Sequence, residues 1–199
     1  MTIVDLLRRH GHNCTRRVLP SGLLVFDDAL PAGSTPAGMP LKQHTFHGGE
    51  PPQEQDTGYT SPWWLESGSL DRERAAMAEH FPRFMLVEGT ADLPPAWAGA
   101  VRARRAEFQI MVMHRRDHGL PTVVPVSPKA RRRWVGRRLI GAPHLYTSGD
   151  LCVAAAEDWD PEIDTVATVV GWAAHWHACY VEWFFTGKWP TEGYRADAA

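Results

Sequence analysis

Apolar residues recur at helical spacing in two parts of the chain. Over residues 65–80, side chains such as Leu70 and Met77 lie opposite a charged face, which predicts an amphipathic helix ending at Phe81-Pro82. Over residues 161–185, three tryptophans recur at helical spacing and predict a long core-facing helix. Asp160-Pro161 supplies its cap and first turn, and Gly187 its stop.

The spacing changes between these two helices. Residues 83–89, 107–114 and 122–126 are β-rich runs separated by proline, glycine and charged residues. This pattern favours an antiparallel meander. The order of helix, strands, cysteine segment and long helix predicts an α+β domain over residues 65–190.

The ends of the chain follow other patterns. Residues 1–33 predict a small extension made of a helix (2–10) and a hairpin around Pro20-Ser21-Gly22. Residues 34–62 are rich in proline and glycine and predict a linker. Residues 191–199 predict a flexible tail.

Composition narrows the class without defining the chemistry. Of 199 residues, 44% are hydrophobic and 22% are charged, as in a globular protein, and the net charge is −2. The three cysteines are too few and too widely spaced for a disulfide framework. No signal peptide and no run of about 20 apolar residues is found, so we expect a cytoplasmic protein with no membrane partner.

One cysteine stands out by its position. Cys152 ends a short apolar segment just after a Ser-Gly turn, with His144 upstream and Trp159-Asp160-Pro161 downstream. A thiol delivered by a turn can meet a second macromolecule, so we expect Cys152 to be exposed and reactive. Cys179, in the middle of the predicted long helix, is expected in the core.

These residues resemble the ubiquitin-conjugating (UBC) family. His144, Gly149-Asp150-Leu151-Cys152 and Trp159-Asp160-Pro161 match its histidine-led motif, its active-thiol segment and the Trp-x-Pro element that opens the next helix. Pro143-His144-Leu145-Tyr146, with the tail Trp183, Thr186-Gly187 and Trp189, is closer to a divergent bacterial branch found beside antiphage signalling enzymes. The resemblance covers residues 65–190 and implies a UBC-like fold: a first helix, a four-stranded antiparallel meander, an active-site segment and a long C-terminal helix.

The motif also departs from the family. Leu145 and Tyr146 stand where the HPN motif has proline and asparagine, and the gap from histidine to cysteine is two residues shorter than in the eukaryotic enzymes. That asparagine is usually credited with stabilising the oxyanion or ordering the nearby loop.

Four residues are catalytic candidates, the first two from the resemblance and the other two from the chemistry of acyl transfer. Cys152 is the nucleophile, and His144 holds the loop by hydrogen bonding rather than acting as a base. Tyr146 offers a hydroxyl donor in place of the asparagine. Asp158 orients or deprotonates an acceptor amine. Asp160 is the weaker candidate for that last role because it also caps a helix.

The implied function is a conjugating-type acyltransferase in antiphage defence. Cys152 would carry the C-terminus of a ubiquitin-like modifier or signalling nucleotidyltransferase as a thioester, received from an ATP-dependent activating enzyme, so no cofactor is needed. A non-catalytic binding module is the alternative, favoured by the missing asparagine. A cysteine hydrolase pairing Cys152 with His144 or His177 is a third reading, for which the sequence displays no third orienting residue.

Two further patterns carry alternatives. Metal binding is weighed against core packing for His175, His177 and Cys179, and for His10, His12 and Cys14; neither set has enough ligands at metal-site spacing, so no metal is expected. The basic stretch around Trp134 fits a solvated loop, a dock for an acidic protein, or a nucleic-acid site, the last being the least favoured.

Overall fold

The computed structural model describes residues 16–26, 38–55 and 61–195. These ranges contain two α-helices, α1 (Asp71–His80) and α2 (Val166–Thr186). They also contain eleven short or medium strands: β1 Arg16–Val18, β2 Leu24–Phe26, β3 Met39–Pro40, β4 His44–Thr45, β5 Met85–Val87, β6 Ala96–Ala103, β7 Ala106–Met113, β8 Thr122–Ser127, β9 Arg133–Val135, β10 Arg138–Ile140 and β11 Gly193–Tyr194. Two 3-10 turns, Trp63–Leu65 and Ala156–Asp158, complete the elements.

The main sheet has four antiparallel strands in the order β5-β6-β7-β8. Strands β6 and β7 pair along their full length, from Ala96 opposite Met113 to Ala103 opposite Ala106. Alternate residues of β7, including Phe108, Ile110 and Val112, are buried. This period of two is what places one face of the sheet against the core.

Helix α2 packs against the buried face of the sheet, mainly on β6. It carries fully buried aromatic side chains, Trp172 and Trp176. The helix ends at Gly187, whose φ of 82° lies in the left-handed region that glycine adopts at little cost.

The α+β class predicted from the sequence is confirmed, whereas two helix starts were predicted wrongly. Helix α1 begins at Asp71, not at residue 65. Helix α2 begins at Val166, not at residue 161, because Asp160 and Asp164 close a turn instead: the Asp160 N–H donates to Asp164 Oδ2 at 2.8 Å. The UBC-like arrangement of these elements stays a prediction.

The described parts of the predicted linker and tail are paired with the rest of the chain. Strand β3 pairs with β1, and β4 pairs with β11, so that Tyr194 lies opposite His44. Leu41 and Phe46 are buried in the core. The hairpin predicted near residues 17–26 is present as β1 and β2. The predicted helix 2–10 lies outside the described residues, and the domain boundaries stay predictions.

No helix among residues 16–26, 38–55 and 61–195 combines the length and hydropathy that a membrane crossing requires.

Candidate functional site

The predicted active-site segment folds as a small hairpin, residues 144–152, which we call the cysteine hairpin. Leu145 and Leu151 face each other as an antiparallel bridge. The Tyr146 N–H donates to the Asp150 carbonyl at 2.9 Å, and the Gly149 N–H donates to the Tyr146 carbonyl at 2.9 Å. Gly149 has a φ of 92°, a conformation that a side chain would strain. The Ser-Gly turn therefore places Cys152 just past the end of the second strand.

Main-chain partners hold the cysteine hairpin on both of its outer edges. On one edge, the Leu151 N–H donates to the Val123 carbonyl of β8 at 2.9 Å. On the other edge, Tyr146 forms a parallel bridge with Gly49, and the Thr147 N–H donates to the Gly49 carbonyl at 2.9 Å. The hairpin is thus an insert between the main sheet and residues 44–50, which we call the covering segment.

Cys152 is buried, and the expectation of an exposed thiol was wrong in this conformation. Its relative exposure is 0%, and its N–H donates to the His144 carbonyl at 3.0 Å. The thiol lies 3.8 Å from the Ala154 carbonyl that it can donate to. Burial is the main cause that raises the pKa of Cys152, opposed by hydrogen bonds to its sulfur from the Tyr146 hydroxyl and the His47 main-chain N–H. The covering segment accordingly supplies both a barrier and a donor to the nucleophile.

His144 ties the cysteine hairpin to the covering segment. Its Nδ1 donates to the His47 carbonyl at 2.5 Å, and its Nε2 lies 3.3 Å from the carboxylate of Glu192. The ring packs on those of Phe46 and Trp189, with centroids 5.4 Å and 5.0 Å away. His144 has a φ of 53°, an unusual value for a residue with a side chain. Such contacts match the loop-holding role predicted for His144, although that role itself stays a prediction.

Tyr146 lies beside the thiol. Burial is the first cause that raises the pKa of its hydroxyl, and the hydrogen bond to Cys152 is the second. The Arg115 guanidinium opposes both and is itself held by Asp117, whose Oδ2 lies 2.6 Å from its Nη2. Tyr146 therefore keeps its proton and acts as a donor toward the sulfur.

The carboxylate of Asp158 is engaged with the main chain. Its Oδ2 accepts the Thr45 N–H at 2.6 Å and the Ala155 N–H at 3.2 Å. It thereby fixes β4, the start of the covering segment, to the turn that follows Cys152. Tyr146 interacts electrostatically with Cys152, whereas the Asp158 carboxylate bonds to Thr45 of β4 and to neither of them.

No histidine ring bonds to Cys152 within the described part of the chain. His144 uses Nδ1 on the His47 carbonyl, and His177 uses Nδ1 on the Ala173 carbonyl at 2.8 Å. The ring of His177 packs against Phe108 in the core, with centroids 4.5 Å apart. A cysteine–histidine pair of the hydrolase type is accordingly not assembled.

His175 is part of a directional chain of hydrogen bonds. Arginine can only donate, so Arg16 Nη1 donates to His175 Nε2 at 2.5 Å. The neutral ring of His175 then donates from Nδ1 to His44 Nε2 at 2.9 Å, and His44 donates from Nδ1 to the Lys42 carbonyl at 3.0 Å. Burial is the first cause that lowers the pKa of both histidines, to about 4 for His44.

Across the described residues, no group of histidine, cysteine and acidic side chains is placed to hold a metal ion. The trio His10, His12 and Cys14 lies outside them. Cys179 is buried in α2 as predicted, and burial is the first cause that raises its pKa to about 12.

Sequence reasoning missed the residues that surround Cys152 from outside the motif. His47, Gly49 and Glu50 come from the predicted linker, and Glu192 comes from the predicted tail. The apolar residues of those segments that pack in the core, Met39, Leu41, Phe46 and Tyr194, have no regular spacing.

Comparison with known families places these features in context. Residues 73–196 match the family model E2-CBASS, described as Type II CBASS E2 protein. Neither the curated proteins nor the solved structures give a match to the chain. The matched range covers α1 from its third residue, the main sheet, the cysteine hairpin and α2. It covers more than half of the chain. The match therefore identifies an E2-like protein of bacterial antiphage signalling. The chain belongs to the Type II CBASS E2 protein family.

Proposed function

We propose that the protein is a conjugating-type carrier that holds the C-terminus of a cargo protein as a thioester on Cys152 and passes it to an acceptor. The observation that carries this proposal is the position of Cys152 in the family match over residues 73–196, at the end of a hairpin held on two sides. CBASS E2 proteins work with partners of the activating-enzyme and ubiquitin-like classes. Our proposal therefore names an ATP-dependent activating enzyme as donor, and a ubiquitin-like modifier or signalling nucleotidyltransferase as cargo.

The first step is an exchange between two thioesters. The Cys152 sulfur attacks the carbonyl carbon that is bonded to the cysteine of the activating enzyme. The new carbon–sulfur bond forms, the old one breaks, and the departing sulfur takes up the proton that Cys152 loses. ATP is consumed earlier, in activating the carboxylate, so the exchange needs no cofactor. In the second step the acceptor amine forms an amide bond with the same carbonyl carbon, the carbon–sulfur bond breaks, and Cys152 leaves as a thiolate that takes up the proton lost by the amine.

Three neighbouring residues support these steps in our proposal. The Tyr146 hydroxyl, whose interaction with the sulfur lowers the pKa of Cys152, donates to the oxyanion that forms one bond away from that sulfur. His144 acts as a positioning residue through its carbonyl, which accepts the Cys152 N–H at 3.0 Å. Asp158 orients the acceptor amine, using the carboxylate oxygen Oδ1 that its bonds to Thr45 and Ala155 leave unused.

Attack requires the thiol to be uncovered. Cys152 is 0% exposed, and the covering segment contacts the cysteine hairpin through His47, Gly49 and Glu50. These contacts are a few hydrogen bonds at the surface rather than packed core, so displacing them costs little compared with unfolding. In our proposal, docking of the activating enzyme moves the exposed residues 47–50 away from the sulfur, while His44 and Phe46 stay buried.

A non-catalytic binding module is the second candidate, because the thiol is fully buried and its pKa is raised. In that case the hairpin and its cover would form a fixed recognition surface, and the cysteine would be a core residue.

Intact-mass spectrometry separates the two candidates. The protein is incubated with ATP and with the activating enzyme and candidate modifier encoded beside its gene, with and without reductant. Wild type and Cys179→Ala gain the mass of the modifier less one water, and reductant removes it, whereas Cys152→Ala gains nothing. An adduct that persists in Cys152→Ala would refute the carrier function. Tight modifier binding with no adduct in any variant would favour the binding module.

Two substitutions then test the supporting roles. Tyr146→Phe slows loading about tenfold or more if its hydroxyl stabilises the oxyanion, and an unchanged rate would remove that role. Asp158→Asn keeps an oxygen for Thr45 and Ala155, yet slows discharge to a free amine about 100-fold if the charge orients or deprotonates that amine. Discharge at the wild-type rate would show that Asp158 does not act on the amine and only stabilises the structure.

A further inference from the structure

A second hairpin, β9 and β10, lies just before the cysteine hairpin and projects from the fold. It forms a sheet of two strands by itself, with Trp134 opposite Leu139 and Arg133 opposite Ile140. We call residues 133–140 the basic ribbon. A lone two-stranded hairpin is marginally stable in water, so a ribbon of this kind gains stability when a partner covers it.

The ribbon exposes a pair of apolar side chains on one face. Trp134 is 67% exposed and Leu139 is 38% exposed. They are cross-strand neighbours on the same face, and Ile140, which is 41% exposed, lies on the opposite face. Single exposed apolar residues are ordinary, whereas a tryptophan and a leucine paired across two strands are typical of a contact surface.

The ribbon and its approach also carry uncompensated positive charge. Residues 118–149 contain no aspartate or glutamate. Six cations lie within them: Lys129, Arg131, Arg132, Arg133, Arg137 and Arg138. None of the six forms an ion pair with a carboxylate in the described part of the chain, although Arg133 is fixed by a hydrogen bond of 2.9 Å to the Trp183 carbonyl. An acidic partner supplies the missing counter-charge.

The base of the ribbon is joined to the structure that holds the nucleophile. The Arg131 N–H donates to the Tyr180 hydroxyl at 2.8 Å, and the Tyr180 ring stacks on Trp176 with centroids 5.4 Å apart. Trp176 in turn donates from Nε1 to the His144 carbonyl at 2.9 Å. His144 follows Ile140 by four positions, which limits the distance between their Cα atoms to about 14 Å. A segment lying on the ribbon therefore lies close to the cysteine hairpin.

We propose that the basic ribbon docks an acidic segment of the cargo protein whose C-terminus is transferred to Cys152. This inference rests on the proposed carrier function. Arginines steer and pair with the acidic side chains, while Trp134 and Leu139 pack on apolar residues between them.

A protein segment fits this surface better than a nucleic acid. Residues 128–143 contain one aromatic residue and no asparagine or glutamine to read base edges, and their other exposed apolar residues are aliphatic. The chain as a whole has a net charge of −2, which disfavours a long polyanion extending beyond the ribbon.

Binding is measured by fluorescence anisotropy with the full chain. The probe is a labelled twelve-residue peptide of alternating Glu and Leu; the same peptide with Gln for Glu, and single-stranded oligo-dT, are the comparison probes. The variants are Trp134→Ala and the pair Arg137→Glu with Arg138→Glu. The control pair, Arg83→Glu with Arg105→Glu, makes the same charge change at exposed positions outside residues 128–143. Near-UV circular dichroism confirms that each variant is folded.

The acidic peptide is expected to bind wild type and the control pair alike, and the ribbon pair at least about tenfold more weakly, with a difference that shrinks as salt is raised. Trp134→Ala weakens binding by about threefold to tenfold. Equal binding by the ribbon pair, or tighter binding of oligo-dT than of the acidic peptide, would overturn the inference.

Loading of Cys152 in the mass-spectrometry assay distinguishes this inference from the proposed function. The ribbon pair is expected to load about tenfold more slowly than the control pair at low salt. Equal loading would overturn the docking role of the basic ribbon while leaving the carrier function intact. Peptide binding that depends on the ribbon, with no adduct even in wild type, would support the docking surface and refute the carrier function.

Discussion

The two neighbouring hairpins of this protein have opposite surroundings. The cysteine hairpin has main-chain partners on both outer edges, Val123 and Gly49, and its nucleophile is 0% exposed. The basic ribbon has no strand on either outer edge among the described residues, and its Trp134 is 67% exposed. Both are short hairpins with a glycine at the turn. The difference teaches that distant segments, rather than the hairpins' own sequences, decide which one is buried.

The strongest test of this comparison removes the aromatic support of the buried hairpin. Trp176→Ala should lower the free energy of unfolding by about 3–5 kcal/mol, because it leaves a cavity and removes the donor to the His144 carbonyl. Trp134→Ala should change it by less than about 0.5 kcal/mol, since the ring is mostly exposed. Urea denaturation measures both.

Similar losses for the two tryptophan variants would break the comparison. They would mean that the ribbon is packed in solution rather than exposed. The same experiment is independent of catalysis, so its result holds whichever function the protein has.

Lowering the pH should destabilise the protein through its buried histidines. Burial lowers the pKa of His44 and of His177 from the ordinary 6.5 to about 4, so these rings stay neutral in the folded state. Between pH 6.5 and about pH 4, each of these histidines binds a proton in the unfolded chain but not in the folded protein. Stability therefore falls as the pH drops below 6.5, by about 1.4 kcal/mol per pH unit for each histidine, and levels off near pH 4.

Replacing one of these histidines isolates its contribution to the pH dependence of stability. Urea midpoints between pH 7 and pH 5 should fall less steeply in His177→Leu than in wild type, by the contribution of one group. A slope identical to that of wild type would show that His177 is already protonated in the folded protein, or is not buried.

Prediction from the sequence succeeded where a segment's own pattern determines its structure. The β-rich pattern of residues 107–114 gave β7, and the Ser-Gly turn predicted before Cys152 is present, although the hairpin that it closes was not predicted. Strand β6 was not identified because its sequence, from Ala96 to Ala103, is mostly small residues with weak strand preference. Its Gly99 is explained only by the fold, since the Phe84 ring lies where a Cβ would be, 2.5 Å away.

The burial of Cys152 was beyond sequence reasoning for a different reason. The thiol is covered by His47, about a hundred residues earlier, through a main-chain N–H that any residue type except proline would supply. No side-chain pattern reports such a contact. Asp158 likewise looked free for chemistry, because its bond to Thr45 crosses 113 positions of sequence.

A smaller effect is expected where the covering segment is fixed to the turn after the nucleophile. Asp158→Ala removes the acceptor of two N–H groups, from Thr45 and Ala155, and should cost about 1–3 kcal/mol of unfolding free energy. Glu157→Ala, at an exposed position next to it, should cost less than about 0.5 kcal/mol. Thermal denaturation compares them, and equal values would show that the carboxylate does not hold β4.

The smallest effect should come from weakening one contact between the covering segment and the cysteine hairpin. It is measured as the rate at which Cys152 reacts with a thiol reagent. The Thr147 hydroxyl donates to the Glu50 carboxylate at 2.9 Å, and Ser148, next in the same turn, donates only to Asp150 at 2.8 Å. Thr147→Val removes one surface hydrogen bond between the cysteine hairpin and the covering segment, worth about 0.5–1 kcal/mol. The fraction of molecules in which the thiol is uncovered should therefore rise about twofold to fivefold. Iodoacetamide labelling of Cys152, followed by mass spectrometry at pH 8, should speed up by that factor in Thr147→Val and stay unchanged in Ser148→Ala. Because burial raises the pKa of the thiol, labelling of wild type should keep accelerating as the pH passes 9. If both variants label at the wild-type rate, residues 44–50 do not control access to the sulfur, and the nucleophile of this E2-like protein must be uncovered by some other movement.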